Sequence, residues 1–286
     1  MTTISVQQAH IQKMLLQHDG FLPVVEVQKL LSDYECTIDQ LVMALLPLAA
    51  EFAVQPLSHF NVGAIAIGDS GDLYFGANQE FTNLPISQVV HAEQAAIANA
   101  HVHGETGIST IAASARPCGH CRQFLYELAG AHQLKVMLPD GQFTELFMLL
   151  PDAFGPEQLG VHGGLLSASQ PLRLLDICDD DLSQKALHAA VHSYAPYTKS
   201  YSGLALRTAD GKIYQGSYLE NVAFNPTLPA LQSAFVHLVQ SGGCYADVVD
   251  GVLVQAKNAV INHAAITEML LKAVCPQAEL QVREAE

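Results

Sequence analysis

The chain has 286 residues, half of them hydrophobic and only 14% charged, with 28 acidic residues against 13 basic ones for a net charge of −15. That composition speaks against disorder, and the shortage of Lys and Arg, without any basic run, speaks against a nucleic-acid backbone or an anionic membrane as partner. No apolar stretch approaches the ~18–20 residues of a bilayer span, and the opening "MTTISVQQAHIQK" lacks the basic-then-apolar layout of a signal peptide, so a soluble cytoplasmic protein is expected.

Residues 1–50 predict helices: apolar positions recur at helical spacing in "QQAHIQKMLLQ", "VVEVQKLLSDY" and "TIDQLVMALLPLAAEFAV". From residue 60 the pattern changes. "VGAIAIGD" and "LYFGANQEF" are short apolar runs joined by "DSGD", which predicts a hairpin. "HAEQAAIANAHVHG" reads as a helix closing at Gly104, "ISTIAAS" as a buried strand, "PCGHCRQFLYELAG" as a helix closing at Gly130, and "LKVMLPDG" as a strand. Strands and helices alternating in this way argue for a layered α/β domain. Residues 151–171 are rich in Gly, Pro and Ser and read as a connection.

After the connection the pattern begins again. At an offset of 140, Gly63 matches Gly203, Gly71 matches Gly211, Tyr74 matches Tyr214, Gly76 matches Gly216 and Glu80 matches Glu220. Two residues fewer in the next loop set "HAEQAAI" (91–97) over "PALQSAF" (229–235) at an offset of 138. The matched glycines are expected at turns, where a residue without Cβ tolerates positive φ. A degenerate tandem repeat follows, in which Pro229 stands for His91 and Leu231 for Glu93. The expected division is an N-terminal helical segment (1–47), a first domain that carries the chemistry (48–150), a linker (151–180) and an inactive copy (181–286).

The first copy holds His91-Ala92-Glu93 and, 27 residues beyond the histidine, Pro117-Cys118-Gly119-His120-Cys121. Positions i and i+3 of a helix share a face, and a helix N-terminus favours thiolate. Two thiolates and an imidazole suit zinc, with the fourth position left to water. A carboxylate beside that water can take its proton and pass it on, which is general acid–base work. Each element also has a plainer reading. His91 alone is an ordinary histidine, Glu93 alone a first-turn acid suited to the helix dipole, and Cys-x-x-Cys alone equally a redox motif. His120 points away from the face the cysteines share and is not expected to ligate. The remaining cysteines, Cys36, Cys178, Cys244 and Cys275, are expected to be buried apolar residues.

His-x-Glu followed by Pro-Cys-x-x-Cys is the signature of zinc-dependent nucleobase deaminases. With "GANQEF", "VVHAEQAAI", "PCGHCRQFLYEL", "LLPDAFGP" and "GSYLENVAFNPTLP", nearly the whole chain resembles the large bacterial cytidine deaminases. The resemblance implies a three-layer α/β/α sandwich with a mixed sheet, duplicated behind a small N-terminal helical segment. It implies a homodimer with the active site near the subunit interface, one zinc ion per subunit, and hydrolysis of cytidine and 2′-deoxycytidine to the uridines and ammonia in pyrimidine salvage. His91, Cys118 and Cys121 would hold the zinc and Glu93 would shuttle protons. Asn78 and Glu80 would contact the ribose, Phe60 the pyrimidine, and Ala92 the substrate through its backbone. From the residues alone, Asn78 and Glu80 are equally turn residues and Phe60 equally a core residue. The loop at 82–88 has no assigned role. A polynucleotide-editing deaminase and a dithiol oxidoreductase using Cys118 and Cys121 are the alternative enzymes, and a structural zinc module is the non-enzymatic one.

Overall fold

The computed structural model describes residues 6–167, 169, 171–175 and 180–286. Its first three helices are α1 (Gln8–Gln17), α2 (Val24–Asp33) and α3 (Ile38–Ala50), with a two-residue strand β1 (Phe21–Leu22) between α1 and α2. α3 starts at Thr37, whose Oγ1 accepts from the Gln40 N–H at 3.3 Å while the Gln40 side chain accepts from the Thr37 N–H at 3.0 Å. That reciprocal cap satisfies two otherwise unpaired donors. Leu41, Leu45 and Leu48 then fall on one face and pack on Ile65, Leu73 and Phe75 of the sheet beneath. The helix runs through residue 47, the expected edge of the N-terminal segment, because Leu48 and Ala49 continue its buried face.

The hairpin appears as β2 (Gly63–Gly68) and β3 (Leu73–Ala77), followed by α4 (Ala92–Val102), β4 (Ile108–Ala113), α5 (Gly119–Leu125), β5 (Lys135–Met137), β6 (Phe143–Glu145) and the short α6 (Leu146–Leu149). The sheet order is β1-β3-β2-β4-β5-β6, antiparallel except between β4 and β5. α3 covers one face; α4 and α5 lie on the other.

The second half repeats this plan with α7 (Asp181–Val191), β7 (Ser202–Thr208), β8 (Ile213–Ser217), α8 (Ala230–Gln240), β9 (Val248–Ala256), α9 (His263–Val274) and β10 (Glu279–Ala285). Its sheet order is β10-β9-β7-β8, parallel only between β9 and β10. Both halves are therefore three-layer α/β/α sandwiches on mixed sheets. The register break between Ile67 and Gly68 recurs between Arg207 and Thr208, at the same offset of 140. One hydrophobic core runs through both halves, because α4 lies against α8 and both are buried along most of their length.

Three local expectations need correction. Of the matched glycines only Gly71 (φ +89°) and Gly211 (φ +86°) sit at turns with positive φ. Gly76 and Gly216 lie within strands, where a Cβ would stand 2.2 Å from the Ala96 backbone nitrogen and 2.1 Å from that of Ala234. They are small so that α4 and α8 can press onto the sheets. Next, α5 stops at Leu125 instead of reaching Gly130, and the chain turns there so that Glu127 points into the second half. Finally, Cys275 is buried as expected, but Cys36 is half-buried and Cys244 exposed; Cys178 lies outside the described residues.

Candidate metal centre and active site

His91 is not inside a helix. It caps α4 in extended backbone (φ −86°, ψ 156°), and Cys118 caps α5 in the same way (φ −74°, ψ 169°), so two helix N-termini converge. Gln94 fixes the approach: its Oε1 accepts from the His91 N–H at 3.3 Å and its Nε2 donates to the Pro226 carbonyl of the second half at 2.9 Å. The His91 Nδ1 then lies 3.4 Å from the Cys118 Sγ and 3.3 Å from the Cys121 Sγ, and the sulfurs are 3.6 Å apart. A tetrahedral zinc ion bound at ordinary Zn–S and Zn–N lengths has ligand edges of roughly 3.5–3.8 Å, so this donor set fits zinc. A redox dithiol has no need of an imidazole nitrogen equidistant from both sulfurs.

The electrostatics favour a cation. Hydrogen bonds from Cys121 and His91 pull the Cys118 thiol down to about 3, making it the thiolate of the pair, while Cys121 is pushed up as the donor. Contact with Cys118 in turn raises His91. Glu93 is 5% exposed in the first turn of α4, and burial raises its carboxyl above the usual range. Two residues apart on a helix, His91 and Glu93 would diverge by about 200°. Because His91 precedes the helix, both reach the same end.

A cavity of about 300 Å³ opens here, lined by Ser58, Phe60, Asn78, Glu80, Ala92 and Glu93 among others. Phe60 is 61% exposed and forms a free apolar wall. Asn78 and Glu80 line the cavity but also hold its rim. The Asn78 side chain donates to the Phe60 carbonyl at 3.1 Å and accepts from the Val62 N–H at 2.9 Å. The Glu80 carboxylate accepts from the N–H groups of Leu57 and Ser58, both at 2.9 Å, and from the Ser58 hydroxyl.

Sequence reasoning missed two polar lining residues, Ser58 and Arg116. Ser58 was findable, because Thr198 stands 140 residues on and hydrogen-bonds Glu220 in the same way. Arg116, which ion-pairs with Asp140 at 3.5 Å, carried no signal. On the other side of His91 lies a second cavity, of about 620 Å³, between the 86–89 loop and residues 225–229 of the second half. The unassigned loop thus lies along the seam between the halves, where Gln88 accepts from Gln232 at 3.1 Å. His120 lines that cavity with its ring stacked on His91 at 5.3 Å, outside the donor set as expected.

Fold and site together define a layered α/β protein whose Cys₂His donor set suits zinc. Residues 36–137 match the cytidine and deoxycytidylate deaminase zinc-binding region, and residues 146–268 match a second description of that region. A cytidine deaminase of Aliivibrio fischeri is 45% identical over 262 residues, covering 92% of this chain and 88% of that protein. A cytidine deaminase of Vibrio vulnificus is 43% identical over 93% of this chain and 91% of its own length, and one of Pasteurella multocida 46% over 84% and 81%. The chain belongs to the cytidine deaminase family.

Proposed function

We propose that this chain hydrolyses cytidine and 2′-deoxycytidine to uridine and 2′-deoxyuridine with release of ammonia, as a cytoplasmic enzyme of pyrimidine salvage. The observation that carries the reading is the buried Glu93 beside a Cys₂His donor set at a cavity of about 300 Å³. His91, Cys118 and Cys121 would hold the zinc, which would supply Lewis acidity that makes water a nucleophile near neutral pH. Glu93 takes one proton of the attacking water and passes it to N3 of the base; it then takes the second proton from the added hydroxyl as C4 becomes a carbonyl and delivers it to the amine nitrogen as the C4–N bond breaks. A carboxyl raised by burial suits both giving and taking a proton near neutrality. Asn78 and Glu80 offer their remaining lone pairs to the ribose hydroxyls, Phe60 packs on the pyrimidine, and the Ala92 backbone contacts the base. The net charge of −15 favours a free nucleoside over a polynucleotide.

In the proposed division residues 48–150 carry the chemistry and 181–286 are scaffold. The chain works as a homodimer whose second half helps close the partner's cavity. Phe60 at 61%, Phe224 at 60% and Ile86 at 77% exposure leave apolar surface for such a contact. Incubation with cytidine should give the absorbance loss of uridine formation, abolished by a chelator and restored by zinc. No turnover of cytidine, or faster turnover of single-stranded DNA or RNA, contradicts the reading. A fully active monomer truncated at residue 150 contradicts the dimer.

A further inference from the structure

Besides the Cys₂His set, the described residues hold one other cluster of three metal-competent side chains. In Asp19, His103 and His237, one ligand atom from each lies within 4.8 Å of the others. Each comes from a different part of the chain. Asp19 sits in the turn before β1, His103 caps the C-terminus of α4, and His237 is on α8 of the second half.

The cluster is built, not a chance approach of surface chains. The His103 Nδ1 lies 2.8 Å from the Asn99 carbonyl, so that nitrogen donates and Nε2 keeps its lone pair. A backbone carbonyl on the second ring nitrogen is how metal-ligating histidines are oriented. Phe21 packs on the same ring at 4.4 Å. His237 presents Nδ1 to the free edge of β8, 3.0 Å from the Gln215 nitrogen and 3.3 Å from its carbonyl oxygen. In the shorter of these contacts the Gln215 N–H donates to Nδ1; an ion on Nε2 selects the other tautomer, whose Nδ1–H donates to the Gln215 carbonyl. The two imidazoles meet edge to face, centroids 5.9 Å apart.

Asp19 is exposed, yet its backbone is pinned. The adjoining Gly20 carbonyl accepts from Asn99 Nδ2 at 2.7 Å, and a Cβ on Gly20 would stand 2.6 Å from Gln240 on α8. Asn99 and His237 are themselves repeat partners (237 − 99 = 138). Asn99 seats the turn that carries Asp19, and its counterpart faces the same turn from the other half.

We propose that Asp19, His103 and His237 form a second metal site, for a borderline divalent ion such as zinc or cobalt, that fastens the N-terminal segment to both halves. Two imidazole nitrogens and one carboxylate oxygen suit such ions and not magnesium or calcium. Exposure at Asp19 leaves room for water in the remaining positions.

Titration of metal-stripped protein with Co²⁺ tests this without reference to activity. The wild type should take up two equivalents, one with thiolate-to-metal charge-transfer absorption and one without. Asp19→Asn and His103→Gln should each take up one, with the charge-transfer band intact. Asn tolerates the positive φ of 52° at position 19, so Asp19→Asn is the variant that keeps the turn. Cys118→Ala should retain the equivalent that lacks the band, and its melting temperature should rise as Co²⁺ is added. Uptake of a single equivalent by the wild type, or of two by both Asp19→Asn and His103→Gln, overturns the proposal.

Discussion

α4 and α8 begin in the same way and are equipped differently. His91 and Pro229 both cap their helices in extended backbone, with ψ of 156° and 154°. Two residues on, Glu93 is 5% exposed and Leu231 1%. α5 is capped by Cys118, with Cys121 one turn in; α9 is capped by Asn262, whose side chain accepts from the Ala264 N–H at 3.0 Å, with Ala265 at the place of Cys121. What both halves keep is mechanical. Glu80 holds Leu57 and Ser58, and Glu220 holds Tyr197 and Thr198, through the same two N–H groups and one hydroxyl. A feature present in both halves needs no catalytic explanation. A feature of the first half alone does.

That contrast can be broken at matched positions. Cys118→Ala should abolish zinc binding at the Cys₂His set together with all measurable cytidine turnover, read by metal analysis and a uridine assay. Asn262→Ala, the matching cap, should cost only about 1 kcal/mol of stability and leave turnover unchanged. Leu231→Glu buries a carboxylate with no cation beside it and should cost about 3–5 kcal/mol in urea unfolding. In a Glu93→Ala background it should restore nothing, because no metal ligands surround it.

Much of this was legible in the sequence, for a physical reason. The repeat, at offsets of 140 and then 138, set Pro229 and Leu231 against His91 and Glu93, and the second half has no Cys-x-x-Cys to match Cys118 and Cys121. The fold followed from short apolar runs whose periodicity changes cleanly from helix to strand. Contacts that depend on tertiary approach were not legible. Spacing alone cannot tell that Gly76 and Gly216 admit helix backbones, that the 82–88 loop borders the second half, or that Glu127 crosses between halves.

Glu127 sharpens the comparison at the joint between halves. Its carboxylate accepts from the Tyr194 hydroxyl at 2.8 Å, the Val222 N–H at 2.9 Å and the Tyr197 hydroxyl, all of the second half. Glu127→Ala leaves three donors unpartnered and should cost about 3 kcal/mol, seen as a lower urea midpoint with the zinc content unchanged. His101 sets a pH-dependent effect. Burial pushes it down to about 4 from an ordinary value near 6.5, with its Nε2 2.9 Å from the His192 carbonyl. The unfolded chain binds this proton below pH 6.5 and the folded chain only below about 4. Stability should therefore fall by about 1.4 kcal/mol per pH unit as pH drops through that window. His101→Gln should remove that share of the slope.

The central claim is that one half performs the chemistry and the other repeats only its scaffold. Glu93→Gln and Leu231→Gln, measured side by side for zinc content and cytidine turnover, test it most directly. Glu93→Gln should keep its zinc and lose about 10³–10⁴-fold in kcat, while Leu231→Gln turns over at the wild-type rate per folded chain. Turnover by Glu93→Gln within tenfold of the wild type would contradict the account.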